Sequence, residues 1–323
     1  MDKKLDLTGK KVLVVGSGIS GVAAAELLKK KGNEILLFDG NKELDVEALK
    51  KKAPVFSDVE IILGTLKDGD LEQVDLAVLS PGVPTDSPMV EQIGEKDIPI
   101  WGEIELAYYF AKGPVAAITG TNGKTTTTAL TGEIMSNYFK DVRVVGNIGI
   151  PYTSVAADTT EETVTVAEIS SFQLETIHEF HPRVSAILNI TPDHLNRHHT
   201  MECYIRTKES ITKNQSPEEV CVLNYEDTVL RAFGEEAGCK VLFFSSAGRL
   251  DTGLYLEGES IYYDVSSDGL SFSVKSQDEA NAAILLGQNG IPASGYDINN
   301  VFEGGFSTTE ADKAKKYQLY LED

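Results

Sequence analysis

The sequence predicts an α/β chain built on parallel sheets covered by helices. Three observations carry that prediction. Apolar runs of strand length alternate with helical patterns, two glycine-rich turns each join a strand to a helix, and a Gly-Pro break separates two such series. The first series opens with "KKVLVVGSGISGVAAAELLKKKGNEILLFDG", which reads as strand, glycine turn, helix, strand. "VDLAVLSPGVP" adds a buried strand ending in a Pro-Gly turn at Pro81 and Gly82. Gly113-Pro114 then interrupts "AYYFAKGPVAAITG" just before a fresh strand, which sets the boundary at residue 112. In the second series "VAAITG", "VRVVGNIG", "TVTVAEIS", "VSAILNI", "EEVCVLN" and "KVLFFSS" are strand-like, with helical stretches between several of them. "GLYLEGESIYYDVSSDGLSFSV" alternates as short antiparallel hairpins do, "DEANAAILLGQNG" looks helical, and "STTEADKAKKYQLYLED" is a polar end. The expected division is 1–112, 113–306 and a tail over 307–323.

Composition narrows the function classes. A chain of 323 residues exceeds one typical domain, and 41% hydrophobic with 24% charged residues is a globular balance. No apolar run approaches the roughly 18 residues of a membrane span, and the first residues lack a signal-peptide core. Cys203, Cys221 and Cys239 form no CxxC pair, as expected of reduced thiols in a cytoplasmic protein. A net charge of −21 argues against nucleic acid or an anionic membrane as partner. The expectation is a monomer acting on small molecules.

Gly16, Gly18 and Gly21 form a GxGxxG between a strand and a helix, with Asp39 ending the next strand. Such a Rossmann-like turn lets a diphosphate approach backbone amides, and the acid suits ribose hydroxyls. The pattern alone does not separate NAD, and with it an oxidoreductase, from a nucleotide sugar. Gly120, Thr121, Asn122, Gly123, Lys124, Thr125 and Thr126 form the second turn. Small residues wrap phosphates there, Lys124 neutralises them, and the Thr125 hydroxyl suits Mg²⁺, which makes this a P-loop-type ATP site. Ile118 stands where the strict motif has glycine, so the loop is a shorter GxxGKT variant. Glu168 ends the strand "TVTVAE", where a hard oxygen ligand suits Mg²⁺ near phosphates. Taken alone Glu168 reads rather as a solvated strand-end acid, and Lys208 alone as a surface helix lysine, the commoner case. All five histidines lie between positions 178 and 199, and the His194–His198 spacing would permit zinc, but no HExxH or cysteine pattern accompanies it.

Taken together and in order, "GSGISG", "SPGVP", "TGTNGKTT", "GNIGIP", "EISSFQLE" and "NITPDHLNRHHTMECYIRTKESI" resemble the Mur ligases of peptidoglycan synthesis, over roughly residues 8–306. "SSFQLE" is most similar to the D-glutamate-adding type. The resemblance implies a Rossmann-like UDP-binding domain followed by a central ATPase domain. It implies an ATP-dependent ligase that joins D-glutamate to UDP-N-acetylmuramoyl-L-alanine. On matching positions, Ile19, Ser20, Asp39, Ser80 and Gly82 would line the UDP site. Lys124 would hold ATP phosphates, and Thr125 with Glu168 would hold Mg²⁺. Asn147 and His194 would face the muramoyl-alanine end, with His194 also near a second Mg²⁺. Lys208 matches a lysine that the family carbamylates with CO₂, and Asn281 an asparagine on the adenine ring.

Departures accompany the match. Asn196 stands where many relatives have aspartate, Gln277 and Asp278 replace a His-Asn pair, and "FEGGFSTTEA" lacks an expected His-Arg. The family's third domain, which carries the D-glutamate site, has no counterpart in these residues. The expectation is that this chain alone does not complete the amide bond. A binding protein that keeps UDP-sugar and ATP affinity without turnover is the alternative.

Overall fold

The computed structural model describes residues 7–257, 260–265 and 270–274. Strands β1 (Lys11–Val15), β2 (Glu34–Asp39), β3 (Glu60–Leu63), β4 (Leu76–Leu79) and β5 (Ile100–Gly102) form the first sheet. Their order is β3-β2-β1-β4-β5 and every pairing is parallel. Helices α1 (Ile19–Lys30), α2 (Val46–Lys52), α3 (Pro88–Gly94) and α4 (Glu103–Phe110) belong to this unit. β1 and β4 are almost wholly buried, so they are continuous apolar runs rather than alternating ones. β3 and β5, at four and three residues, are too short to carry such a signature and were not anticipated from sequence.

The second sheet contains β6 (Val115–Thr119), β7 (Val142–Gly146), β8 (Val164–Glu168), β9 (Val184–Ile187), β10 (Val220–Asn224) and β11 (Lys240–Ser245). It continues through β12 (Gly253–Glu257), β13 (Ser260–Val265) and β14 (Leu270–Val274). The order is β14-β13-β12-β11-β10-β9-β6-β8-β7. Pairings are parallel from β7 to β12 and antiparallel from β12 through β14, so the mostly parallel sheet and its terminal hairpins are both present. Its helices are α5 (Lys124–Ser136), α6 (Thr153–Ala156), α7 (Ser171–Leu174), α8 (Leu195–His198), α9 (Met201–Glu209) and α10 (Thr228–Glu236). Among the described residues no helix is long and apolar enough to cross a membrane.

The chain passes from α4 to β6 over residues 111–114, yet the apolar core does not stop there. One buried cluster runs from Val12, Val14 and Leu28 through Trp101, Ile104 and Ala107 to Ala117, Val145 and Ala167. Two carboxylates at the start of α4 cross the same junction. Glu105 accepts hydrogen bonds from the backbone N–H groups of His178, Glu179 and Phe180 at 2.7–3.0 Å. Glu103 accepts from Thr153 N and Oγ1 at 2.7 and 2.9 Å, and burial raises its pKa. A buried carboxylate is tolerated only when its lone pairs are engaged, and here donors from the second unit engage them.

In each sheet the order reverses beside the first strand. β1 lies between β2 and β4, and β6 lies between β8 and β9. Loops leaving the carboxyl ends of neighbouring strands part at such a point and leave a crevice. The glycine turn after β1 is tightly built: a Cβ on Gly21 would lie 1.8 Å from Gly16 O, and one on Gly16 2.6 Å from Ser80 Oγ. Gly21→Ala therefore forces the turn apart. A loss of about 3 kcal/mol is expected, read as a lowered urea midpoint.

Candidate active site

The strand-to-helix turn after β6 is held from behind. Asn189, two residues past β9, accepts from Thr121 N (3.1 Å) and Asn122 N (2.8 Å) through Oδ1 and donates Nδ2 to Asn122 O (3.1 Å). Two of the loop amides anticipated for phosphate are thus engaged with Asn189. The donors left for an anion are those in the first turn of α5. Its N-cap, Gly123, sits at φ +81 and supplies no side chain to cap them. Orphan N–H groups and the positive end of the helix dipole make that terminus suitable for phosphate. Thr125 and Thr126 are exposed at its start.

Two lysines converge behind this turn. Lys124 Nζ donates to Gly120 O at 2.9 Å and to Thr121 O at 2.8 Å. Lys208 Nζ, from the last turn of α9, donates to the same Gly120 O at 2.8 Å. Lys208 is 1% exposed and lies over the Tyr204 ring at 4.8 Å. Tyr204 OH is 3.1 Å from Thr121 Oγ1, which also accepts from Thr191 N. Burial first, and then the Lys124 ammonium, push the Lys208 pKa down to about 7, with Asp193 pulling the other way. An amine that is neutral near pH 7 is a nucleophile, which an ordinary surface lysine is not.

Glu168 ends β8 beside β6, paired in register with Ile118. Its Oε1 accepts from Asn147 Nδ2 at 2.7 Å, while its buried Oε2 has no hydrogen-bond partner. A carboxylate oxygen withheld from water and from protein donors is suited to a hard cation. Glu168 and Asn147 are therefore joined, as are Lys124 and Lys208. His194 is joined to neither pair by a described hydrogen bond, although its neighbour Asp193 acts on the Lys208 charge. It is exposed at φ +52, with Nε2 3.4 Å from Asp193 Oδ2 and its ring 4.8 Å from that of Phe172. His198 is buried instead, with Nε2 2.9 Å from Ser171 Oγ. Burial lowers its pKa against the pull of Glu175. No group of three or more His, Cys, Asp or Glu side chains placed to hold a metal occurs among the described residues.

At the first crevice, Asp39 is occupied. Its Oδ2 accepts from Ser17 N (2.9 Å) and Ser17 Oγ (2.6 Å), and Oδ1 from Asn41 N (3.0 Å). Burial raises its pKa, but these hydrogen bonds outweigh burial and leave it below the ordinary value. Ile19 is 74% exposed at the start of α1, next to half-buried Ser20. Ser80 Oγ is buried without a partner, and Gly82 is exposed in the following turn. A narrow crevice of about 10 Å³, room for no more than one water, lies between the two sheets, with Ser80, Pro81 and Val83 on one wall and Phe172, Gln173 and Arg197 on the other. A wider groove, lined by Leu174, Cys203, Arg206 and Lys213 among others, contains none of the anticipated site residues. Asn281 lies outside the described residues, as do Gln277 and Asp278.

Asn189, Tyr204 and Arg197 were not singled out from sequence. The one available signal was position: Asn189 closely follows a strand that parts from the phosphate turn, where a polar side chain is free to reach across.

Comparison with known proteins finds matches in sequence and in fold. A family model described as the Mur ligase middle domain matches residues 118–291, and one described as the MurD-like N-terminal domain matches residues 10–102. The chain is 55% identical over 259 residues to proteins named UDP-N-acetylmuramoylalanine--D-glutamate ligase from Lachnoclostridium phytofermentans and Lachnospira eligens. Each match covers 80% of this chain and 57% of the relative, so the chain spans little more than half of their length. Among solved structures, a UDP-N-acetylmuramate:L-alanyl-gamma-D-glutamyl-meso-diaminopimelate ligase from Neisseria meningitides shares the fold. Its TM-score is 0.56 at 14% identity, over 97% of this chain and 99% of that one. A murein peptide ligase from Psychrobacter arcticus gives a TM-score of 0.53 at 15% identity, over 96% and 68%.

Proposed function

The chain belongs to the Mur ligase family, and from that premise we propose that it serves the ATP-dependent joining of D-glutamate to UDP-N-acetylmuramoyl-L-alanine in the cytoplasm. The observation that carries the chemistry is the convergence of Lys124 and Lys208 on Gly120 O, in the turn that follows the strand adjoining that of Glu168. The names of the 55%-identical relatives support the choice of substrates.

In this reading the alanyl carboxylate attacks the γ-phosphorus of ATP, the bond to the β-phosphate oxygen breaks, and ADP departs. The amine of D-glutamate then attacks the acyl phosphate carbon, and inorganic phosphate leaves as the amide forms. Phosphorylation is needed because a carboxylate has no usable leaving group. The difficulty is bringing a carboxylate against a triphosphate, since both are anions. Lys124 Nζ turns from the Gly120 and Thr121 carbonyls to the phosphates, and the first-turn amides of α5 orient them. The Thr125 hydroxyl and the unpartnered Glu168 Oε2 fit Mg²⁺, which when bound neutralises charge between the reactants. Asn147 holds Glu168 in place. The neutral Lys208 amine adds to CO₂ and loses a proton, which gives a carbamate and replaces a potential cation with an anionic oxygen donor. His194 faces the muramoyl-alanine end, Ile19, Ser20, Asp39, Ser80 and Gly82 line the uridine diphosphate, and Asn281 meets the adenine.

Titration calorimetry of the chain tests the reading. UDP-N-acetylmuramoyl-L-alanine and Mg-ATP are expected to bind saturably, and NAD not to bind. Binding of NAD without the sugar nucleotide would overturn it and favour a dinucleotide site.

A further inference from the structure

The phosphate loop, Glu168 and Lys208 leave one buried charge of the "TPDHLNRHHT" segment unused, that of Arg197. It lies in α8, a four-residue helix bounded by His194 at φ +52 and His199 at φ +63. Left-handed backbone at two non-glycine residues is held only where surrounding contacts over-determine it. Arg197 supplies such contacts. Its Nε and Nη2 donate to Glu175 Oε1 and Oε2 at 3.2 and 2.6 Å, and Nη2 also donates to Val83 O at 2.8 Å. Both side chains of the ion pair are 11% exposed. Glu175 further accepts from Thr85 Oγ1 at 3.1 Å, and His198 Nδ1 lies 3.6 Å from its Oε1. His199 Nε2 is 2.8 Å from Asp86 Oδ2. The guanidinium lies 4.8 Å over the Phe172 ring, which is also the ring beside His194.

These contacts share one geometry. Residues 83–86 follow β4 in the first sheet, whereas Glu175, Arg197 and His199 follow β8 and β9 in the second. Arg197 and Val83 both line the crevice between the sheets. We propose that Arg197, seated on Glu175, is a positioning residue that latches the 80–86 loop onto the second sheet and so fixes the spacing of the two units between which the sugar nucleotide binds. The identity of that ligand rests on the ligase reading above. The latch needs a planar fork that meets a carboxylate with two nitrogens while reaching a carbonyl and stacking on a ring. Lysine keeps the charge but cannot make that set of contacts.

The test uses Arg197→Lys and, as a milder change, Glu175→Gln in the full 323-residue chain. Calorimetry reads affinity for UDP-N-acetylmuramoyl-L-alanine and for Mg-ATP. Spin labels on the exposed native Cys203 and on Lys51→Cys read the distance between the units. Arg197→Lys is expected to weaken the sugar nucleotide about tenfold, because fewer molecules hold the competent spacing. It is also expected to broaden the distance distribution while leaving Mg-ATP affinity unchanged. Unchanged sugar-nucleotide affinity and an unchanged distribution in both variants would overturn the proposal. So would a joint fall of both affinities with the unfolding midpoint, which would make Arg197 a staple of the whole fold. If the unmodified chain binds no sugar nucleotide, the ligase reading fails and the distance distribution alone decides the latch.

Discussion

Lys208→Met is expected to stabilise the fold by about 3 kcal/mol at pH 6, in buffer free of bicarbonate. The folded protein holds the Lys208 amine at a pKa of about 7 against an ordinary 10.5, because burial and Lys124 both oppose the ammonium. That depression corresponds to about 5 kcal/mol, from which the hydrogen bond to Gly120 O must be subtracted. The sign follows from proton counting. Between pH 7 and 10.5 the unfolded chain keeps a proton that the folded chain has released, so stability of the unmodified protein rises with pH there. Below pH 7 the cost of the buried charge is fully present; above 10.5 it is gone. Urea midpoints at pH 6, 8 and 10 should therefore show the methionine variant losing its advantage step by step. An advantage that did not change with pH would show that Lys208 is not held neutral.

Lys124→Ala is expected to weaken Mg-ATP binding by roughly a hundredfold, about 3 kcal/mol. The lysine is the cation at the α5 terminus, and its own carbonyl contacts are with the loop it would leave on binding. The same substitution removes the second cause of the Lys208 depression. The pH at which Lys208 captures ¹³C-labelled CO₂, followed by NMR, should consequently move upward. Calorimetry with Mg-ATP gives the first quantity. An affinity within a few-fold of the unmodified chain would remove the phosphate-loop assignment.

Much of the architecture was legible because the parallel strands are largely apolar runs and their turns are written in glycine. β6, β8 and β9 stood out in this way, and with them the positions of Gly120, Glu168 and the histidine segment. β3 and β5 did not, since edge strands of three or four residues carry no measurable period. The site was legible where chemistry requires an unusual residue at a strand end, as at Lys124 and Glu168. It was illegible where a residue acts through the shape of a neighbour. Asn189 braces two amides of another loop, Tyr204 bridges Thr121 to Lys208, and Arg197 sits in a run of polar letters that reads as a solvated turn. The pairing of Asp39 with Ser17 was hidden for the same reason: a strand-end acid has many possible partners, and sequence does not choose among them.

The first turn of α4 has a wider meaning for how this molecule could be rebuilt. Glu103 and Glu105 sit on the amino-terminal side of the junction, but every donor described for their carboxylates comes from beyond residue 150. A chimera that exchanged the first-sheet unit for one from another scaffold would either import an unmatched helix or strand three amides and a threonine without acceptors. The workable splice lies upstream of Glu103, so that this helix travels with the second-sheet unit as its own plug.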